Sequence, residues 1–188
     1  MGGKSSVHRG NDYRLRRAKE QSTLTPTCIE EIIKHTKEFL KMLNMPPLNV
    51  KIDNPLDKLV DSKKFYAKIK SDYGLESTRD IVWMKFTADG FLRVVTTSDD
   101  INFDMPHTKC DYNVTTNGKG KSSSNSWKHN SSGILIHMLD KEWNKDFVLV
   151  FPLAKIPPSL NRRDIECGIG NYLIYKGIPI LDYYSHRF

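Results

Sequence analysis

Two alternating apolar runs, Ile81-Val-Trp-Met-Lys-Phe-Thr87 and Phe91-Leu-Arg-Val-Val-Thr-Thr97, stand on either side of Ala88-Asp89-Gly90. Period-2 alternation marks a strand with two different faces. Asp-Gly between such runs supplies the residues that a tight hairpin turn requires. An antiparallel pair is therefore expected in the middle of the chain, and the other segments have to be fitted around it.

Two further runs, Gly133-Ile-Leu-Ile-His-Met-Leu139 and Phe147-Val-Leu-Val-Phe-Pro-Leu153, are apolar enough for central strands. The charged stretch Asp140-Lys-Glu-Trp-Asn-Lys-Asp146 joins them and reads as the turn of a second hairpin. Leu48-Asn-Val-Lys-Ile52 alternates and reads as a short strand.

Helical signals lie at both ends. Ile29, Ile32, Ile33, Thr36, Leu40 and Leu43 recur at helical spacing. Thr25-Pro26 is the expected N-terminal signal, and Thr27 with Glu30 has the form of a capping box. Asn44 and Pro46-Pro47 stop the run. His35 lies beside its polar face and reads as a surface residue. A second helix is expected from Asn54-Pro55 to about Lys70, with lysines at 58, 63, 64, 68 and 70. A third is expected after Ser159 or Asn161, either of which can cap it, with Ile165, Ile169, Tyr172 and Leu173 as its apolar stripe. Gly177 and Pro179 end it. Gly168 and Gly170 each cost that helix about 1 kcal/mol relative to alanine, so a close neighbour is expected there, most simply another backbone. Ile178 to Tyr184 reads as a last strand or extended segment.

Helices ahead of antiparallel strands, then a helix, define an α+β class. The expected architecture is a single domain with two N-terminal helices, a mainly antiparallel sheet and a C-terminal helix. It spans 23–188, behind a basic arm over 1–22. A chain of 188 residues is long enough for one such core.

Charge narrows the function classes. The chain carries a formal net charge of +7, which favours polyanionic partners. The 1–22 arm holds Lys4, Arg9, Arg14, Arg16, Arg17 and Lys19 against Asp12 and Glu20. A long polar loop is expected near 107–133. Its stretch from Thr116 to Gly133 holds no acidic residue, and carries Lys119, Lys121, Lys128, His129 and one large apolar side chain, Trp127. Basic residues around one aromatic ring fit backbone contact with base stacking. Arg14, Arg16, Arg17, Lys119, Lys121, Trp127 and Lys128 are the candidate nucleic-acid contacts, to DNA or RNA.

Three carboxylate and imidazole groups are candidates for chemistry. Glu166 lies among small and apolar neighbours, with Arg162 and Arg163 within one helical turn. Asp182 and His186 fall on one face, with Tyr184 between them, if the C-terminal segment is a strand. Glu166, Asp182 and His186 are thus the candidate catalytic residues of a small nuclease, a hydrolase of phosphodiester bonds. A divalent metal is the cofactor such an enzyme would use if it is metal-dependent. His129 and His137 supply the acid and base types of a metal-free alternative. There is no P-loop, dinucleotide-binding glycine pattern, nucleophile elbow or zinc motif.

The leading expectation is a nucleic-acid-binding protein with or without nuclease activity. One alternative is a non-enzymatic protein-interaction module using the polar loop or the C-terminal segment. A second is a small-anion enzyme with a pocket near Glu166. Cys28, Cys110 and Cys167 are odd in number and lack metal-ligand spacing. They fit free thiols in a reducing compartment, so an intracellular, cytoplasmic location is expected. No apolar run approaches the roughly 20 residues of a transmembrane helix.

Overall fold

A computed structural model describes residues 15–53, 71, 81–98, 139–142, 144, 147–153 and 156–182. Within them the protein is α+β. Residues 15–22 form a helix, α1. It is followed by α2 (Ile29–Met42), β1 (Val50–Asp53), β2 (Ile81–Phe86), β3 (Leu92–Ser98), β4 (Phe147–Pro152) and α3 (Arg162–Tyr175). The helix expected from Asn54-Pro55 to about Lys70 lies outside the described residues, as do residues 133–138 of the strand expected over 133–139.

The sheet runs β1-β4-β2-β3, and its neighbouring strands are antiparallel. The Asp-Gly hairpin forms as expected: Val82 stands opposite Thr97 and Met84 opposite Val95. Gly90 takes a φ of +92° in the turn, a conformation that costs glycine little. Past Lys85 the register slips. Lys85 faces Val94 and Phe86 faces Leu92, which leaves Arg93 as the extra residue of a bulge.

β4 corrects the second hairpin. One of its edges pairs with β1, Val50 opposite Val150 and Lys51 opposite Leu149. The other pairs with β2, Trp83 opposite Val150 and Met84 opposite Leu149. Both edges are taken, so 133–139 is not its hairpin partner. The segment before β4 instead lies against the first hairpin. Asn144 N–H donates to the Phe86 carbonyl at 2.9 Å, and Ala88 N–H donates to that of Glu142 at 2.8 Å.

The core forms on one face of this sheet. Val82, Met84 and Phe86 of β2 join Leu149 and Phe151 of β4, Ile32 and Leu40 of α2, and Ile165, Ile169 and Leu173 of α3. The alternate positions Trp83, Lys85, Val148 and Val150 are buried as well. Both faces of the two central strands are therefore shielded from water.

Helix ends follow local chemistry, with one correction. Asn161 caps α3 by accepting from the N–H groups of Arg163 and Asp164, while the Asp164 carboxylate accepts from the Asn161 N–H. This reciprocal box satisfies donors that a helix start leaves open. Gly177 closes α3 at φ +79°, with Ile178 N–H donating to the Leu173 carbonyl at 3.0 Å. Asn44 ends α2 at φ +55°, and asparagine tolerates that region better than most residues. The start of α2 differs from expectation. It begins at Ile29 with Cys28 as the N-cap and no side-chain cap, so neither Thr25 nor the Thr27/Glu30 box is used.

The neighbour of Gly168 is also corrected. It is the ring of Phe39 on α2, not a backbone: a Cβ added at Gly168 would overlap Cζ of that ring. The ring in turn packs on Tyr172, with centroids 5.7 Å apart. Gly168→Ala gains about 1 kcal/mol of helix propensity, but overpacking a filled contact costs about 1–3 kcal/mol. The expected net result is a lower melting temperature. An unchanged or raised melting temperature would mean that Phe39 can swing aside.

Candidate functional site

Among the described residues four ionisable side chains are buried: Lys85 at 4% exposure, Arg93 at 5%, Asp182 at 4% and Glu166 at 9%. Two are cations and two are carboxylates, so their formal charges cancel. Burying a charge without compensation is costly, and a balanced set is how a fold tolerates it.

The backbone brings three of the four to one region of the sheet. Lys85 stands opposite Val94, and Arg93 is the bulge residue next to it. After α3 the chain returns along β3, with Ile180 bridging Leu92 in the parallel sense. Leu181 N–H donates to the Leu92 carbonyl at 3.0 Å, and Asp182 N–H donates to that of Arg93 at 2.8 Å. Residues Ile180 to Asp182 of the segment expected over 178–184 are thus tied to β3, and Tyr183 and Tyr184 lie outside the described residues. The Lys85 ammonium sits 4.8 Å from the centroid of the Trp83 ring. Glu166 belongs to the first half of α3. Its neighbour Cys167 has a raised thiol pKa: burial is the main cause, the Glu166 charge adds to it, and Arg163 opposes it. Such a thiol is not activated as a nucleophile at neutral pH.

The same end of the sheet anchors the chain that emerges from the polar region. Lys141 bonds the Asp89 carboxylate of the hairpin turn, and its ammonium lies 4.3 Å from the Phe91 ring centroid. Leu139 packs on Phe91 and Leu181. The hairpin turn, Leu139 with Lys141, and the Ile180–Asp182 stretch therefore share one end of the domain.

A second polar group joins α2 to α3. The Glu38 carboxylate lies 2.8 Å from Nδ1 of His35 and accepts from the Tyr172 hydroxyl at 3.4 Å. The His35 ring stands edge-on to Tyr172 at 6.4 Å, and its Nε2 lies 3.7 Å from Glu31. His35 is half-buried between the helices, more enclosed than its sequence position suggests. The hydrogen bond with His35 is the largest influence on Glu38. It outweighs burial and, with the nearby charges of His35, Lys34 and Lys176, lowers the carboxyl pKa.

Of the sequence candidates, Glu166 and Asp182 are both buried, and Arg16 and Arg17 lie on α1. Arg17 pairs with Glu20 at 2.8 Å. Arg14, Lys119, Lys121, Trp127, Lys128 and His186 lie outside the described residues, as do His129 and His137. No group of three or more His, Cys, Asp or Glu residues that could hold a metal ion occurs among the described residues. No helix among them is long and apolar enough to cross a membrane. Lys85 and Arg93 were not singled out by sequence. Alternation shows which face they occupy, not that this face is covered.

Removing one sign from a buried charged set leaves the other sign uncompensated, at a cost of about 3–5 kcal/mol. Arg93→Met and Asp182→Leu are each expected to lower the unfolding free energy by about that amount in urea titrations. The double variant is expected to lose less than the sum of the two; strict additivity would place the two charges in separate environments.

Asp89 gives a pH test. Burial pushes its carboxyl pKa up, but hydrogen bonds from Lys141 and Thr87 and the Lys141 charge prevail, so the net shift is downward. A depressed carboxyl contributes stability above its unfolded pKa of about 3.9 and loses it as pH falls through the folded value. Lys141→Met is therefore expected to be less stable than the native chain at pH 6. That gap should close as pH falls below about 4 in thermal melts; a gap independent of pH would assign the loss to the packing of Lys141 on Phe91. No protein-family model, curated protein or solved structure matches this chain.

Proposed function

We propose that the protein binds nucleic acid through its charged segments, using the α+β domain as a scaffold. The observation that carries this reading is the division of charge. The described residues hold 13 Lys and Arg against 11 Asp and Glu, whereas the whole chain has an excess of +7. Most of the positive excess therefore belongs to the other stretches. These include residues 1–14 and the Thr116–Gly133 run, which has no acidic residue. A balanced scaffold with concentrated cations is the distribution expected of a backbone-binding protein.

Leu139 and Lys141, which follow the polar run in sequence, are held at the hairpin end of the scaffold. Arg16 and Arg17 on α1 supply further cations next to the N-terminal segment. The nuclease form of this reading keeps Glu166, Asp182 and His186 as its candidates, His186 lying four residues after Asp182 in sequence. A divalent metal would be needed only if the reaction is metal-dependent. DNA and RNA share the phosphate chemistry on which the proposal rests.

Fluorescence anisotropy with labelled oligonucleotides at increasing NaCl tests the proposal. Affinity is expected to fall steeply with salt, with a log–log slope of about −0.7 per single-strand phosphate neutralised. Replacing Lys119, Lys121 and Lys128 by glutamine is expected to flatten the slope by about 2. Binding that does not change between low and high salt would overturn the proposal. Loss of labelled oligonucleotide that follows the protein through size-exclusion chromatography would add the nuclease activity.

A further inference from the structure

The C-terminal end of α3 carries an aromatic surface that the core does not use. Tyr175 is 80% exposed, the most exposed of the large apolar side chains among the described residues. The stripe of α3 that packs on the core consists of Ile165, Ile169 and Leu173, so packing does not account for a ring at 175. Beside it stands Tyr172, with ring centroids 6.4 Å apart and planes inclined by 36°. The Lys176 ammonium lies 5.1 Å from the Tyr172 centroid and 5.9 Å from that of Tyr175.

Tyr172 is held from several sides. Phe39 packs on its ring, His35 meets it edge-on, and its hydroxyl donates to Glu38. The next residues are set by the helix end: Lys176 N–H donates to the Tyr172 carbonyl at 3.0 Å, and Gly177 turns the chain at φ +79°. Among the described residues other than its chain neighbours, nothing lies within 4 Å of where a Gly177 Cβ would be. The result is a fixed inner ring, an exposed outer ring and a cation beside both. Glu38 is the acidic neighbour of Lys176, and its carboxylate is already engaged by His35 and Tyr172.

We infer that Tyr175 with Lys176 forms a stacking platform for a base of single-stranded nucleic acid, with the ammonium placed for the adjoining phosphate. The inference rests on the nucleic-acid reading and adds a contact on the folded scaffold, separate from the polar loop. Stacking tolerates any base because every base has a π-face. The same chemistry favours single strands, since the bases of a duplex are already stacked on each other.

Two variables separate stacking from ionic contact. Full-length protein is titrated into labelled oligo(dT) and oligo(U), and into a duplex of equal length, across a NaCl series. Tyr175→Ala is expected to weaken single-strand binding about fivefold or more, while leaving the salt slope and the melting temperature unchanged. Tyr175→Phe should retain binding. Lys176→Gln should flatten the slope by about 0.7. Tyr175→Ala binding at native affinity overturns the inference, yet leaves the nucleic-acid reading standing if the native slope is steep. An equal loss on duplex and single strand also overturns it. If the native protein binds no oligonucleotide at low salt, the underlying reading fails and the platform with it.

Discussion

The pairing of β4 between β1 and β2 is the constraint on which the other parts of this domain depend. A strand paired on both edges has all its backbone donors and acceptors in one plane, so its side chains alone decide what lies above and below. In β4 they are Phe147, Val148, Leu149, Val150 and Phe151, apolar at successive positions. Such a strand requires cover on both faces. α2 and α3 meet that demand on one side through Ile32, Leu40, Ile165, Ile169 and Leu173. On the other side, Val148 and Val150 share the buried face with Trp83 and Lys85. Burial of Lys85 thus follows from the position of β4, because a charge on β2 shares the cover that β4 requires.

The same topology explains why polar chemistry collects at one end of the sheet. β2 and β3 turn at Asp89-Gly90, the chain entering β4 passes beside that turn, and the chain leaving α3 returns along β3. Three segments distant in sequence meet there, each with backbone groups to satisfy. Asn144, Ala88, Leu181 and Asp182 all find carbonyl partners at this junction. Lys141 and Asp89 add an ion pair, packed on Phe91. Exposed ion pairs contribute little, so the hydrogen bonds and the Leu139–Phe91–Leu181 contact carry most of the attachment.

What the sequence made legible was local. The Asp-Gly turn, the spacing of α2 and α3, the Asn161 cap and the stop at Asn44 each depend on residues within a few positions of one another. Their chemistry is complete in a short window. The misses were non-local. Nothing near 147–153 reveals that its partners are 50–53 and 81–84, so adjacency favoured a hairpin with 133–139 instead. Gly168 signalled a close neighbour, but Phe39 lies on another helix and its side chain could not be told from a backbone. The Thr27/Glu30 pattern had the right spacing for a box, yet the helix starts two residues after Thr27. Of the candidate site, Glu166 was legible as a carboxylate among small and apolar neighbours, and Asp182 as part of a strand-face group with Tyr184 and His186. Lys85 and Arg93 were not, because their burial depends on the sheet order and on a bulge.

This division between local and non-local also separates the protein's two kinds of charge. The buried charges among the described residues, two cations and two carboxylates, are fixed by topology and sum to zero formal charge. Surface charges on the described residues are close to balance too. A polyanion approaching this scaffold would therefore meet little net attraction from it. On the proposed nucleic-acid reading, long-range attraction would come from the basic stretches of the sequence beyond the described residues, since unbalanced cations act over about 8 Å at physiological salt. Short-range selectivity would then come from a group that recognises a base rather than a charge. Tyr175, on α3 with its ring exposed, is the group proposed for that role. Such an arrangement divides capture from recognition. Salt would weaken the first, while the second would depend on whether the strand offers an unstacked base.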